Sequence, residues 1–232
     1  MDAVLFDLFG TLIPNITPEA LYRGVHEVAD ALGADRDAFL EEWRKGFQGR
    51  MDGSVRDGVD VFRPALDALG LDPPDGAIDE ANRRHAAFFL TQLVPKPDAV
   101  ETLDRLAAME CGIALVSDCS SGTPELLDRT PLGPRLPVRA ISADLRTRKP
   151  DPAMYRTATD GLGVDPARCL YVGDGNSEEL PGAKRLGMTT VWVDNGENQH
   201  WRDRFVPEGD YTVTELREIP AIVERLRNGD AA

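Results

Sequence analysis

What most limits the fold of this chain is a set of four short apolar runs. They are "AVLF" (3–6), "GIALVS" (112–117), "CLYVGD" (169–174) and "TTVWVD" (189–194), each closing on, or followed at once by, Asp or Ser. Their apolarity is nearly continuous rather than alternating, the pattern of parallel strands covered on both faces. Helix-period stretches lie between them, "DAVETLDRLAAME" (98–110), "DPAMYRTATDGLG" (151–163) and "EELPGAKRLG" (178–187). Strand–helix alternation of this kind implies an α/β fold built on a doubly wound parallel sheet. Ligands of such sheets gather at the carboxyl ends of the strands, where Asp7, Ser117 and Asp174 all stand.

Residues 14–93 follow another rule. "TPEALYRGVHEVADALG", "DRDAFLEEWRKGFQGRMDG", "RDGVDVFRPALDALG" and "GAIDEANRRHAAFFLTQL" carry helical apolar spacing and no convincing strand. Thr17 ahead of Pro18 and Glu19 is a helix start, and Gly33 and Gly70 are stops. The spacing predicts a four-helix insertion over 14–93, after the first strand of an α/β core made of 1–13 and 94–232. Pro14 and "VPKPD" (94–98) mark its edges, and "RNGDAA" at the end is expected to fray.

The chain has 232 residues, 26 basic and 40 acidic, for a net charge of −14. That balance argues against nucleic acid or an anionic membrane as partner, since phosphate backbones need basic patches. A small anionic substrate stays open, because a pocket can be locally positive on an acidic protein. Three cysteines, Cys111, Cys119 and Cys169, make neither a disulfide framework nor a CxxC metal site. Cys111 and Cys169 open apolar runs and are expected as buried thiols. No apolar run approaches the ~18 residues of a membrane span, and "MDAVLFD" lacks a basic leader, so a cytoplasmic location is the expectation. Oligomeric state is not written in the composition.

Four segments carry the chemistry: "FDLFGTL" (6–12), "VSD" (116–118), "RKPDPAMY" (148–155) and "YVGDGNSEELPGAKRLGM" (171–188). In this order and on strand ends they resemble the four motifs of the haloacid dehalogenase-like hydrolase superfamily, and the helical insert resembles its type 1 cap. Asp7 fits a carboxylate nucleophile, which splits a hard displacement into two easier steps. Gly10 lets the backbone turn close to a ligand, and Gly10, Thr11 and Asp118 are expected against the substrate. Ser117 is able to donate to an anionic substrate oxygen, as the resemblance implies, although a strand-end serine alone is ordinary turn chemistry. Lys149, held by Pro150-Asp151-Pro152, matches the lysine that neutralises charge between nucleophile and substrate. Arg146 and Arg148 are expected on the surface. Asp174 matches the acid that binds Mg²⁺ in the phosphatase branch, and Glu179 a second acid set behind the metal. Asp7 and the carbonyl of Phe9 would complete that oxygen set, which suits a hard cation.

Phe9 divides the reading. In the phosphatases a second Asp two residues after the nucleophile protonates the leaving oxygen, and positioned acid–base groups are worth about 10²–10⁴-fold. The dehalogenases carry an aromatic there, because a halide leaves without a proton. "FDLFGTL" thus resembles the dehalogenase branch and "GDGNSEE" the metal-using phosphatase branch. The resemblance implies a Mg²⁺-dependent phosphoryl hydrolase of a small metabolite through an aspartyl-phosphate on Asp7. The alternatives are a 2-haloacid dehalogenase with an Asp7 ester, or a binding protein whose chemistry lapsed with the second Asp. Glu41, Glu42, Arg44, Arg50 and His85 are the insert residues able to supply a missing group. His85 reads otherwise as a solvated helix residue, and Trp43, Phe47, Phe88 and Phe89 as helix packing. Cys119 is expected near the pocket without a reactive role.

Overall fold

The structure, a computed structural model, describes residues 1–194, 196 and 208–229. Its centre is a six-stranded, wholly parallel sheet of β1 (Ala3–Phe6), β2 (Gly112–Ser117), β3 (Val138–Ile141), β4 (Cys169–Gly173), β5 (Thr189–Val193) and β6 (Tyr211–Val213). The strand order is β3-β2-β1-β4-β5-β6. The four apolar runs become β1, β2, β4 and β5 with almost the expected limits. Both faces are covered, which is why the runs do not alternate. Val4, Phe6, Leu115 and Val172 face one apolar cluster with Leu103 of α6 (Ala99–Ala108) and Val223 of α11 (Ile219–Asn228). Leu5, Val116 and Tyr171 face another with Tyr155 of α9 (Pro152–Leu162) and Leu180 of α10 (Glu179–Lys184). The edge strands β3 and β6 lie outside the expected set. Arg139 interrupts the first, and the second is only three residues long.

Between β1 and α6 the chain forms α1 (Pro18–Leu32), α2 (Arg36–Lys45), α3 (Phe47–Met51), α4 (Arg63–Leu69) and α5 (Ala77–Gln92). They pack round their own core of Val28, Leu32, Phe39, Trp43, Phe62 and Leu66. The starts and stops behave as expected. Thr17 Oγ1 accepts from Ala20 N at 3.2 Å, and Gly33 and Gly70 end their helices in the left-handed conformation. The second predicted helix, however, is two, broken at Gly46. There Arg50 reaches back to donate Nη1–H to Trp43 O at 2.8 Å, one of the carbonyls left over at the end of α2. The third begins only at Arg63, with Pro64 in its first turn, after a short 3-10 turn at Val59–Val61. At the chain end α11 runs to Asn228 and Gly229 caps it; the rest of the segment expected to fray, 230–232, lies outside the described residues.

The helical layer is tied to the sheet layer by specific contacts. Asp57 Oδ2 accepts from Gly122 N at 2.6 Å and from Ser121 Oγ at 3.1 Å, at the start of α7 (Thr123–Asp128). Ser142 Oγ donates to Met51 O at 2.6 Å. Gly53 packs so closely on Ala143 O that a Cβ there would lie 1.8 Å from it. No helix among the described residues is long and apolar enough to cross a membrane.

Candidate active site

Strand order explains the site. β1 pairs with β2 on one side and β4 on the other, so the chain leaves the sheet in different directions beside β1, the crevice where such folds take ligands. Asp7 follows β1, its N–H extending the ladder to Val172 O at 2.9 Å. Asp174 follows β4. α10, opening with Glu179, drops that side chain beneath both. Asp7, Asp174 and Glu179 each offer a carboxylate oxygen, all within 4.8 Å of one another.

Lys149 closes the group from the opposite side. Its ammonium donates to Asp7 Oδ1 at 2.5 Å and Glu179 Oε2 at 2.7 Å. The lysine is held at its backbone, where Lys149 N donates to Asp118 Oδ1 at 3.0 Å, and Asp151 caps the start of α9 just beyond. Glu179 is saturated: Tyr171 OH donates to Oε2 at 2.9 Å and Gly175 N to Oε1 at 2.9 Å. Asp174 is steadied by Asn176, whose N–H and Nδ2 reach its two oxygens at 3.0 and 2.8 Å, and by Asn15 Nδ2 at 3.3 Å. Asp7 Oδ2, by contrast, is buried with no hydrogen-bond partner among the described residues.

Burial dominates the electrostatics. It pushes Asp7 up to about 6, with Lys149 pulling down and Asp174 pushing further up. Burial likewise takes Glu179 up to about 8 against the pull of Lys149, with Asp7 and Asp174 adding to the rise. Burial works against the Lys149 ammonium, but Asp7, Glu179 and Asp118 together hold its pKa well above the usual lysine value. Lys149 thus serves two buried carboxylates at once, and neither is brought back to its ordinary range.

Above this floor, between sheet and helices, lies a cavity of about 620 Å³. Of the residues expected at the site, Asp7, Phe9, Asp118 and Lys149 line it, while Gly10, Thr11, Ser117, Asp174 and Glu179 contribute no lining surface. Gly10 is a support: at φ +84 it backs onto Asp174, and a Cβ would meet Asp174 Oδ2 at 2.0 Å. Thr11 and Ser117 are buried with hydroxyls that lack partners. Arg148 corrects its surface expectation. It lines the cavity, donates Nη1–H to Gln48 Oε1 of α3 at 2.5 Å and stands 3.6 Å from Asp118 Oδ2.

From the insert, Arg44, Arg50 and His85 line the cavity, and Glu41 and Glu42 do not. His85 is not a solvated residue. It lies edge-on to Trp43 and Phe62 with ring centroids 5.4 and 5.7 Å away. Trp43 and Phe89 face the cavity as well as neighbouring aromatic rings of the insert, Phe88 packs against Gly24, and Phe47 corrects its packing expectation, being an exposed residue at the cavity with Arg148 over its ring. Cys119 lines the wall with its thiol pushed up to about 12 by burial, so it stays protonated and inert; Cys111 and Cys169 are buried as expected. Asn15, Tyr171 and Asn176 escaped the sequence reading. Tyr171 and Asn176 stand inside quoted motifs, but neither residue type signals a carboxylate partner.

Comparison with known proteins agrees with this geometry. A family model described as haloacid dehalogenase-like hydrolase matches residues 1–187. The chain is 29% identical to a glyceraldehyde 3-phosphate phosphatase of Methanopyrus kandleri over 97% of both chains. It is 30% identical to (S)-2-haloacid dehalogenase 1 of a Pseudomonas species, again over 97% of both. A phosphatase of the same superfamily from Thermococcus onnurineus superposes with a TM-score of 0.68 at 27% identity, covering 96% of this chain and 98% of that one. With motifs, sheet order and relatives in agreement, the chain belongs to the haloacid dehalogenase-like hydrolases and is a hydrolase.

Proposed function

We propose that this hydrolase is a Mg²⁺-dependent phosphoryl hydrolase of a small anionic metabolite, with Asp7 as nucleophile and residues 14–93 as its cap. The observation that carries the reading is the convergence of Asp7, Asp174 and Glu179, with Lys149 bonded to Asp7 and Glu179. The donor set suits a hard divalent ion: carboxylate oxygens, one of them, Asp7 Oδ2, buried and without a partner. Asp7, Asp174 and the Phe9 carbonyl would hold it, and Glu179, whose oxygens are already engaged, would stand behind them and fix Lys149. Bound there, Mg²⁺ would supply charge neutralisation for a phosphoryl group. A dehalogenation gives such a cluster no evident use.

The chain's own residues set the rest. Lys149 holds Asp7 Oδ1, which orients the carboxylate and screens it from an incoming anion. An Asp7 oxygen then bonds to phosphorus as the bond to the leaving oxygen breaks, and water afterwards attacks phosphorus, releasing phosphate and the free carboxylate. Phe9 offers the leaving oxygen no proton, so we assign the enzyme a substrate whose leaving group departs as a weakly basic anion. Phe9 is also the observation favouring the second reading, a 2-haloacid dehalogenase in which Asp7 attacks carbon.

One experiment separates them: phosphate and chloride release across a panel of phosphate esters and 2-chloropropionate, with Mg²⁺ or with chelator. The expected result is phosphate release that requires Mg²⁺ and falls by about 10⁴-fold or more in Asp7→Asn, with acid-stable phosphate trapped on the wild-type chain. Chloride release in chelator without any phosphate release would overturn the proposal.

A further inference from the structure

The cations that line the cavity are not alike. Lys149 has Asp7 at 2.5 Å, Arg148 has Asp118 at 3.6 Å, and Arg44, at the exposed rim, has Glu41 at 3.4 Å. Arg50 lines the same space with only 7% of its surface exposed, and among the described residues no carboxylate pairs with it. Its one hydrogen bond, Nη1 to Trp43 O, uses a single donor of the five that a guanidinium carries. One face lies over the Trp43 ring, 3.8 Å from its centroid, which offsets part of the charge and leaves the edge of the fork for other partners. Asp57 acts on Arg50 from a distance, but no ion pair forms among the described residues, and a buried cation left so is costly.

A second group on this wall is also unfulfilled. His85 Nε2 is buried with no hydrogen-bond partner, and the ring lines the cavity beside Arg50. Asp57, the acid of this wall, has its Oδ2 committed to Gly122 N and Ser121 Oγ. We infer that Arg50, with His85 beside it, receives a carboxylate carried by the substrate apart from the group that reacts at Asp7. The inference rests on the phosphoryl-hydrolase reading and deepens it: the substrate class is a small carboxylic acid phosphorylated on an enolic or acyl oxygen, whose leaving group stays weakly basic. A carboxylate fits better than a second phosphate, because Arg50 brings a single positive charge and Asp57, close enough to act on it, already offsets part of that charge. Ile16, Leu21, Trp43, Phe47, Met51 and Phe89 give the remaining wall an apolar character, so the segment joining the two anions is expected to be hydrocarbon.

The test uses the intact chain with Mg²⁺ and calorimetric titration of ω-phosphonocarboxylic acids with two to six carbons, each against the alkylphosphonate of equal length. Hydrolysis of p-nitrophenyl phosphate, which has no carboxylate, runs in parallel and reports the phosphatase reading alone. For at least one length the carboxylate is expected to tighten binding tenfold or more. The preference is expected to vanish in Arg50→Met and shrink in Arg50→Lys, which keeps the charge but not the fork. Thermal melts show that each variant is folded; should Arg50→Met fail to fold, Arg50→Lys and His85→Phe carry the comparison. Phosphonates that bind without carboxylate preference at any length, or a preference unchanged in the folded variants, would overturn the Arg50 assignment and leave the phosphatase reading standing. No phosphonate binding together with no ester hydrolysis would overturn both.

Discussion

The floor and the wall of the cavity treat buried charge in opposite ways. On the floor, Lys149 bonds to both Asp7 and Glu179, and Glu179 is held further by Tyr171 and Gly175. On the wall, Arg50 is buried with donors left over, and His85 Nε2 is buried with no hydrogen-bond partner among the described residues. A cluster whose side chains hold one another, with only Asp7 Oδ2 left open, is set for one reaction whatever arrives, whereas a wall with open donors awaits a particular guest. The difference teaches that chemistry and selectivity are held by different layers of this molecule.

The sharpest way to break the comparison is to empty the floor. Lys149→Met leaves Asp7 and Glu179 facing each other without a cation, and removing one partner of a buried ion pair costs about 3–5 kcal/mol. Urea unfolding of the Mg²⁺-free protein is expected to show a loss of that order at neutral pH. A loss under 1 kcal/mol would mean that the floor is not interdependent.

The wall is expected to answer to pH. Burial takes the His85 imidazole down to about 4, with Asp57 opposing and Arg50 adding to the fall. The unfolded chain therefore takes up a proton below its usual value of 6.5 that the folded chain refuses until about 4. The stability from a neutral His85 is complete above 6.5 and drains away as pH falls through that interval, by up to about 3 kcal/mol. His85→Gln is expected to flatten that share of the pH profile, measured as the difference between wild-type and variant unfolding curves. Parallel curves from pH 7 to 4 would refute it.

The smallest effect lies in the tie between the layers. Asp57→Ala removes the acceptor for Gly122 N and Ser121 Oγ and is expected to cost about 1–2 kcal/mol. Because it touches neither Asp7 nor Lys149, KM is expected to rise several-fold while kcat stays within about twofold. Steady-state kinetics with any turned-over substrate decides it, and a fall in kcat alone would show that the tie serves the floor.

The same division explains what the sequence disclosed. The floor was legible because a nucleophile at a strand end, a lysine followed by two prolines and an acid-rich turn are local patterns. Asp7, Lys149, Asp174 and Glu179 were all visible before their proximity was known. The sheet was legible where strands are buried on both faces. It was not legible at β3, where Arg139 reaches out to Asp128 at 2.5 Å along an exposed edge. The wall resisted because its meaning lies in long-range geometry. Nothing in "EEWRKGFQGR" separates Arg50, folded back over Trp43, from Arg44 at the rim, and nothing near Arg148 says that Gln48 and Asp118 will draw it inward.

Gly10 and Asp174 meet so closely that not even a methyl group fits between them. Two stretches from opposite halves of the chain are therefore cast as one piece, and neither can drift without the other giving way. A change at position 10 would reach the fourth motif as directly as a change within it.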